Sequence, residues 1–232
     1  MKSEKAIEIA KKILKQVFGR ETGFSLKEIE KKFGFDIPFP SKRKCQLSGE
    51  NTWIFSAEKE FKIASQQAIA ERFKKDEWVM PRKPVKSVDD ILRYWREINY
   101  LTAEKQINSK EVSFSDGVYD SFGVYKSVGV YDSKNILFCY KIVNSSFMLA
   151  SRDSVGCSFG IRVSDSIYCS SCFEVSWSNK VSKSLFIHDC FDLYECMFCS
   201  HLRSKRYFIA NMPFEREEYF KIKKLVLDWV FS

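Results

Sequence analysis

The sequence lacks the long apolar run of a membrane-spanning helix. No stretch approaches the roughly 18 consecutive apolar residues that such a helix needs. The N-terminal segment carries acidic residues and has no apolar core of the kind found in secretory signals, so we expect a cytoplasmic protein that does not act at a membrane. Because 45% of its 232 residues are hydrophobic, the chain can still bury a sizeable core, and this excludes a disordered protein.

Sequence motifs of common enzyme classes are also missing. We find no GxGxxG followed by a helix, no phosphate-binding loop and no paired-carboxylate motif. The chain has only two histidines, His188 and His201, that could serve as general bases. These absences predict a protein that is not an enzyme and that needs no cofactor.

What the sequence does contain is a repeat of six residues, visible in SDGVYDSFGVYKSVGVYDS at residues 115–133. When every third residue is followed from Ser115 to Leu202, none of the 30 positions is charged or aromatic, and all are small or aliphatic. Every second one of these 30 positions is followed by a residue that is mostly large, as Tyr119 follows Val118. The charged residues stand at the other positions of the repeat. Such a fixed three-residue frame fits neither an amphipathic helix nor a plain strand.

The frame predicts a β-solenoid over residues 113–202, in which each short strand and its corner use a fixed number of residues. If three hexads make a triangular coil of about 18 residues, the segment forms about five coils stacked at ~4.8 Å. Small residues would line a narrow interior that widens toward the C-terminus, where valine and isoleucine replace serine. The alternative is an antiparallel β-sandwich, but sandwiches show turn signals about every 8–12 residues and no fixed frame.

The hexad pattern of residues 113–202 resembles hexapeptide-repeat and pentapeptide-repeat β-helices, which are a broad class of architectures. The resemblance implies a β-helix of stacked coils. Left-handed β-helices include acyltransferases with a histidine base. The resemblance therefore also implies an alternative function, a β-helix acyltransferase-like enzyme in which His188 is the base.

Two flanking regions surround the repeat. Residues 1–112 are predicted to form a helical and mixed N-terminal region that also caps the first coil, and residues 203–232 a loop and a C-terminal helix. The C-terminal helix either caps the solenoid or binds a partner subunit. The predicted N-terminal elements are an amphipathic helix over 3–18, a helix opened by the capping box Ser25–Glu28, a helix over 56–74 and a helix capped by Ser87.

Eight cysteines raise the question of a zinc site near the end of the repeat. Seven of them fall in the same three-residue frame as the serines and valines, and only Cys45 lies outside it. A narrow interior that accepts small residues explains them without a metal, so we expect reduced, buried cysteines and no metal ion. We also expect Cys139 and Cys157, 18 residues apart, to stack in adjacent coils. If a zinc ion is bound after all, its candidate ligands are Cys190, Cys196, Cys199 and His201.

A rigid solenoid favours a non-catalytic scaffold or accessory interaction protein. Such a protein would dock on a larger protein partner through a face or an end of the solenoid, and it could form a homodimer. Large side chains at the start of the repeat and on the C-terminal helix could anchor the contacts. The candidate interface residues are Tyr119, Tyr125, Tyr131, Tyr219, Ile222, Val226 and Trp229.

The alternative is a nucleic-acid-binding accessory subunit, such as one that supports a phage or CRISPR-type nucleic-acid enzyme. The net charge of +8 is uneven, because residues 1–44 hold 12 Lys and Arg against 6 acids whereas residues 113–202 hold 7 against 9. Nucleic acid, bound directly or through the protein partner, would therefore meet the flanks. The candidate contacts are Lys42, Arg43, Lys44, Arg82, Lys83, Lys86, Arg203, Lys205, Arg206 and Tyr207, the last by stacking on a base.

Overall fold

The chain forms a parallel β-solenoid, which confirms the predicted fold class. The computed structural model describes residues 1–55 and 61–231. Each solenoid strand pairs in parallel with the segment 12 residues further along the chain, from Gln106 opposite Val118 to Met197 opposite Ile209. Residues 106–209 therefore make about nine coils, and the regular pairing begins before and ends after the segment in which the repeat is visible by eye.

The coil is shorter than the sequence analysis predicted. Two hexads complete one turn, as in Val118 opposite Val130, so the expectation of about five coils with three hexads each is wrong. The reason lies in the corners, because every third backbone position from Asn108 to Ala210 has a positive φ, as at Asp120 (47°). Four such corners close a 12-residue coil. The hexad period in the sequence cannot distinguish this coil from a triangular one, because both have small or aliphatic inward residues.

Each coil points four residues inward, one from each side, and these residues are the three-residue frame of the sequence. In an early coil, two opposite sides contribute valine and the other two contribute serine: Val118, Ser121, Val124 and Ser127. In a later coil the sides exchange roles: Ser178, Val181, Ser184 and Ile187. In both coils, therefore, two inward residues are serine and two are aliphatic.

Serine and cysteine do more in the interior than fill space. The hydroxyl of Ser127 donates to the carbonyl of Tyr125, and its oxygen accepts the backbone N–H of Cys139, one coil ahead, at 3.0 Å. Cys139 repeats the pattern, because its Sγ accepts the N–H of Ser151 at 3.4 Å. A buried N–H without an acceptor is costly, so these columns require a side chain that accepts a hydrogen bond. Ladders of this kind run from Ser109 to Cys169, from Ser115 to Val163 and from Ser166 to Leu202.

One side of the solenoid is covered by two helices, α1 (Ser3–Phe18) and α5 (Arg216–Phe231). α1 is about 24 Å long and lies lengthwise across about five coils: the amine of Met1 donates to Ser113, and Gln16 near the other end donates to Ser171. α5 covers the later coils of the same side. We call this side the covered face, and its outward residues are Tyr125, Leu137, Leu149, Ile161, Phe173, Leu185, Met197 and Ile209.

The sequence of α1 accounts for its position. Its buried residues recur every three or four positions, which produces a single apolar stripe that can be buried only against one surface. Gly19 ends the helix in the left-handed conformation (φ 69°), and its N–H bonds to the carbonyl of Lys15. The tips of the two helices meet over the covered face, where the rings of Phe18 and Phe231 pack edge to face at 5.0 Å.

The rest of the N-terminal region packs beside α1 and near the first coil. α2 (Leu26–Phe33) begins with the predicted capping box at Ser25. The solenoid residue Arg162 holds the end of α2, because its guanidinium donates to the carbonyl of Phe33 and to the carboxylate of Asp36. These hydrogen bonds outweigh the partial burial of Asp36 and lower the pKa of that carboxyl group.

Six further elements precede the coils. The predicted helix over 56–74 is only partly correct: residues 62–65 form a strand, because they pair in parallel with the strand that leads into the first coil. Residues 56–60 of that prediction lie outside the described residues. The elements are β1 (Ser41–Lys44), β2 (Asn51–Ile54), β3 (Lys62–Ser65), α3 (Gln66–Lys74), α4 (Val88–Ile98) and β4 (Tyr100–Ala103).

The solenoid strands are short, because a corner follows every third residue. Strands β1 and β2 form a separate antiparallel hairpin, and the last strand turns back antiparallel on its predecessor at the C-terminal end of the solenoid. In chain order the strands are β5 (Gln106–Ile107), β6 (Lys110–Ser113), β7 (Asp116–Tyr119), β8 (Phe122–Tyr125), β9 (Val128–Tyr131), β10 (Lys134–Leu137), β11 (Tyr140–Val143), β12 (Ser146–Leu149), β13 (Arg152–Val155), β14 (Ser158–Ser164), β15 (Ser170–Ser176), β16 (Asn179–Ser182), β17 (Leu185–His188), β18 (Phe191–Tyr194), β19 (Met197–Ser200), β20 (Arg203–Arg206), β21 (Phe208–Ile209) and β22 (Met212–Pro213).

The inward frame predicts opposite outcomes for two substitutions in the same coil. Val130 is fully buried, so Val130→Asp places a charge in the interior and should unfold the protein or make it insoluble, at a cost of several kcal/mol. Lys134 is exposed, and Lys134→Asp should leave the thermal melting temperature nearly unchanged. Equal losses in the two thermal melts would contradict the assignment of the frame.

The hydrogen-bond ladder is tested by changing Ser127 to two residues of similar size. Ser127→Ala removes the acceptor of the Cys139 N–H and should lower the free energy of unfolding by about 1–3 kcal/mol. Ser127→Cys should cost less, because cysteine accepts the same bond elsewhere in this column. Ser176→Ala, which changes a serine on the outside, is the control. Equal stability of the Ala and Cys variants in denaturant titrations would show that only side-chain size matters.

Candidate protein-docking face

The side of the solenoid opposite the covered face carries an apolar column, and no helix of the described residues covers it. Its residues lie half a coil, or six positions, from those of the covered face. Tyr131, Ile167 and Phe191 are 44%, 41% and 38% exposed, and the rings of Tyr119 and Tyr131 stack at 4.9 Å. We call this side the open face. Its outward residues are Ile107, Tyr119, Tyr131, Val143, Val155, Ile167, Asn179 and Phe191.

The corners that border the open face are mainly acidic. From Gly117 to Asp192, the corner positions hold six aspartates and two lysines, Lys141 and Lys180. Lys141 lies 4.0 Å from one of these aspartates, Asp153. The open face is therefore an apolar strip with a net negative border. The aspartates are Asp120, Asp132, Asp153, Asp165, Asp189 and Asp192.

The remaining two sides of the solenoid are more polar. One presents a column that runs through Ser146, Ser158, Ser170 and Ser182. The other presents Arg152, Ser164, Ser176 and His188. The open face is thus the side that most resembles the covered face in its outward residues.

The candidate interface residues from the sequence are divided between the two apolar sides. Tyr119 and Tyr131 lie on the open face, whereas Tyr125 lies on the covered face with its ring against Phe114 and Phe138. In α5, Tyr219 is fully buried. Ile222 and Val226 pack against the same core, and Trp229 contacts Phe186 and Phe198. Tyr219, Ile222 and Val226 therefore contribute to the chain's own core, whereas Trp229 is 61% exposed.

The basic residues singled out in the sequence lie at the two ends of the solenoid. The hairpin that carries Lys42, Arg43 and Lys44 packs near the first coil, where Trp53 contacts Phe114 at 4.7 Å. Residues 114 and 203 are more than seven coils apart, about 35 Å at ~4.8 Å per coil. The flanks thus do not form one continuous basic patch. Arg82, Lys83 and Lys86 lie before α4, and Arg203, Lys205 and Arg206 form the exposed strand β20.

Several of these residues already have partners, among them Arg206, whose guanidinium lies 4.9 Å from the ring of Tyr194. Lys83 pairs with Glu97 at 2.7 Å. Tyr207 packs against Tyr219 at 5.5 Å between ring centroids, so its ring already contacts the chain's own helix.

The eight cysteines are all buried, as the sequence predicts for the seven in the repeat frame. Their stacking differs from the prediction, because a 12-residue coil places Cys157 next to Cys169, whose N–H donates to the Cys157 sulfur at 3.3 Å. Cys139 instead lies between Ser127 and Ser151. Burial raises the pKa of the Cys139 and Cys172 thiols to about 12, which makes these thiols poor nucleophiles.

The candidate zinc ligands do not converge on one point. Cys190, Cys196 and Cys199 point into the coil, whereas the His201 side chain lies outside, 71% exposed, with Nδ1 at 2.7 Å from Asp189. A hydrogen bond from the Cys196 thiol lowers the pKa of Cys199 to about 7, so these two thiols interact with each other. Within the described ranges, no group of three or more His, Cys, Asp or Glu residues could hold a metal ion.

The other histidine, His188, is exposed on a polar side of the solenoid. Its Nδ1 lies 3.0 Å from the hydroxyl of Ser176, one coil back. The pair could exchange a proton, but it lies on the outer surface of a sheet that continues into the neighbouring coils.

The sequence analysis missed most of the open face. The large residues after the inward positions form one series in the sequence, from Tyr119 and Tyr125 onward, and a step of six mixes the two sides. When the series is read in steps of 12, two columns separate. The column from Tyr125 to Ile209, on the covered face, is apolar throughout, whereas the column from Tyr119, on the open face, includes Asn179 and ends at Arg203. The polar members of the second column are the signal that could have identified the uncovered side.

Comparison of the chain with family models, with curated proteins and with solved structures gives no match. No helix in the described part of the chain is long and apolar enough to span a membrane. The geometry of the chain is therefore the basis for a functional proposal.

The basic hairpin provides a test of direct nucleic-acid binding. Changing Lys42, Arg43 and Lys44 to Ser should leave the melting temperature nearly unchanged, because the three side chains are exposed. If the protein binds DNA or RNA through this hairpin, the affinity should fall and its dependence on salt concentration should become weaker. Fluorescence anisotropy at several salt concentrations measures both, and unchanged binding would exclude the hairpin as a nucleic-acid contact.

Proposed function

We propose that the protein is a non-catalytic scaffold or accessory interaction protein that docks an amphipathic helix of a protein partner on its open face. The observation that carries the proposal is the similarity of the two apolar sides. On the covered face, the chain's own helices lie lengthwise on a column of large residues. The open face has a second such column half a coil away, and in the part of the chain that the structure describes no helix lies on it.

Exposure of this column supports a docking role. Five of its members, spread along the whole column, are between 38% and 55% exposed: Ile107, Tyr131, Val155, Ile167 and Phe191. A continuous apolar strip on a protein surface marks an interaction site more often than scattered apolar residues do. The acidic corners favour a partner helix with basic residues beside its apolar stripe.

The alternatives have less support. A nucleic-acid-binding accessory subunit would use basic residues that lie at opposite ends of the solenoid, and an acyltransferase-like enzyme would use His188 on an exposed polar side. A cytoplasmic location is part of the proposal, because eight buried thiols suit a reducing compartment.

The proposal predicts a double variant that loses partner binding but stays folded. Val155→Asp with Ile167→Asp changes two exposed residues in neighbouring coils, so the melting temperature should fall by only a few degrees. Proteins that co-purify with the tagged wild-type chain after nuclease treatment should be lost. The matched control is Ser158→Asp with Ser170→Asp, which adds the same charges to a polar side of the same two coils.

Mass spectrometry of the three purifications gives the result. Partners retained by the control and lost by the open-face variant support the proposal. Partners that bind all three proteins equally contradict the role of the open face, and partners that disappear with nuclease alone favour the nucleic-acid alternative.

A further inference from the structure

Helix α4 has an apolar stripe that is exposed to solvent. Val88, Ile91, Leu92 and Trp95 follow the i, i+3, i+4, i+7 spacing of one helix face, and they are 69%, 52%, 39% and 54% exposed. No residue of the helix is buried. The capping box at Ser87, with Asp90 as its acid, fixes where the helix begins.

A stripe of this kind needs a surface to cover it. An isolated helix of 11 residues is marginal in water, because most helix stability in proteins comes from packing of the apolar face. Around α4 the contacts that hold it are polar: Lys62 donates to the carbonyl of Glu97, and Lys83 pairs with the Glu97 carboxylate. The polar side is therefore tied to the chain while the apolar side is left free.

The open face fits this stripe in geometry. α4 is about 16 Å long, which matches three to four coils at ~4.8 Å. The chain already uses this arrangement once, because α1 lies lengthwise on the strands of the covered face. The open face offers the same kind of column, with Val143, Val155 and Ile167 in consecutive coils.

The open face also fits the segment that carries α4 in charge. The segment 82–98 holds five basic and three acidic residues, and its basic excess comes from Arg82, Lys83 and Lys86 before the helix, because Arg93 within α4 pairs with Asp90 at 2.7 Å. The corners of the open face hold six aspartates and two lysines between Gly117 and Asp192. The signs are opposite, so the basic residues that precede the helix would meet an acidic border.

The two surfaces are not in contact within one chain. α4 is joined to β4 by the single residue Asn99, and β4 leads directly into the first coil. The helix is held there by Lys62 and Lys83 and does not lie on its own open face. A second copy supplies both surfaces at once, because α4 of each chain can reach the open face of the other in a twofold dimer.

We propose that two copies of this chain form a homodimer in which α4 of each copy lies lengthwise on the open face of the other. The inference rests on the proposed function, since it names the helix and the partner that occupy the open face. It predicts a self-association that depends on two patches far apart in the sequence.

Analytical ultracentrifugation tests the dimer with two variants of the full chain. Ile91→Ser with Trp95→Ser removes the stripe, and Val155→Asp with Ile167→Asp changes the open face. We expect the wild type to sediment as a dimer at micromolar concentration and each variant to dissociate at least tenfold more readily. Phe35→Ser, at a residue that is 70% exposed elsewhere, and the Ser158/Ser170→Asp control should remain dimeric. Circular dichroism confirms that each variant is folded.

A photocrosslinker at position 95 tests the geometry directly. Benzoylphenylalanine in place of Trp95 should give a cross-linked dimer whose cross-link maps to the tryptic peptides 153–162 or 163–180 of the other chain. A wild-type monomer at all concentrations overturns the inference, and so does a dimer that withstands either variant or that cross-links elsewhere.

The results also separate this inference from the proposed function. A monomeric wild type whose co-purifying proteins are still lost in the open-face variant overturns the homodimer and leaves another protein as the occupant. A dimer that the open-face variant dissociates, with co-purifying proteins unchanged, supports the homodimer and contradicts docking of a different protein on that face.

Discussion

The hydrogen bond from an inward serine or cysteine to the backbone of the next coil is the interaction on which this solenoid depends. Ser115 accepts the N–H of Ser127, Ser127 accepts that of Cys139, and the series continues one coil at a time. Buried side chains fill the interior of each coil, so inward N–H groups must find acceptors within the chain. Valine and isoleucine fill the other two columns of the same coil, and the two types of column exchange along the solenoid.

The same constraint explains the unusual number of cysteines. A thiol is small, accepts a weak hydrogen bond and tolerates burial, so it can replace serine in the ladder. Cys139, Cys157 and Cys190 each accept the N–H of the residue one coil ahead. The CxxC spacings that suggest a metal site in the sequence follow from a frame that places inward residues three apart.

The closure of the coil by two hexads also determines which outward residues share a side of the solenoid. Each hexad contributes two inward residues, both small or aliphatic, and one large outward residue. Because two hexads make a coil, the solenoid has two apolar sides, half a coil apart. The helices α1 and α5 are long enough to cover one of them, with Phe18 and Phe231 in contact where their tips meet. Within the described residues, the other apolar side and the stripe of α4 are left exposed, as are Leu225 and Trp229 on α5. The proposed docking rests on this asymmetry and does not require a catalytic group.

The sequence by itself determined the inward frame from Ser115 to Leu202, the solenoid class and the start of α2 at Ser25. These features are local, because a buried inward position accepts only small or aliphatic residues whatever the length of the coil, and a capping box acts within four residues. The tertiary structure alone decided how many hexads close a coil, which of two similar columns α1 covers, and that Cys199 and His201 point away from each other. Leu149 and Val155 look equivalent in the sequence, yet one is buried and the other exposed. The difference depends on contacts with helices more than 60 residues away along the chain, and no local pattern contains them.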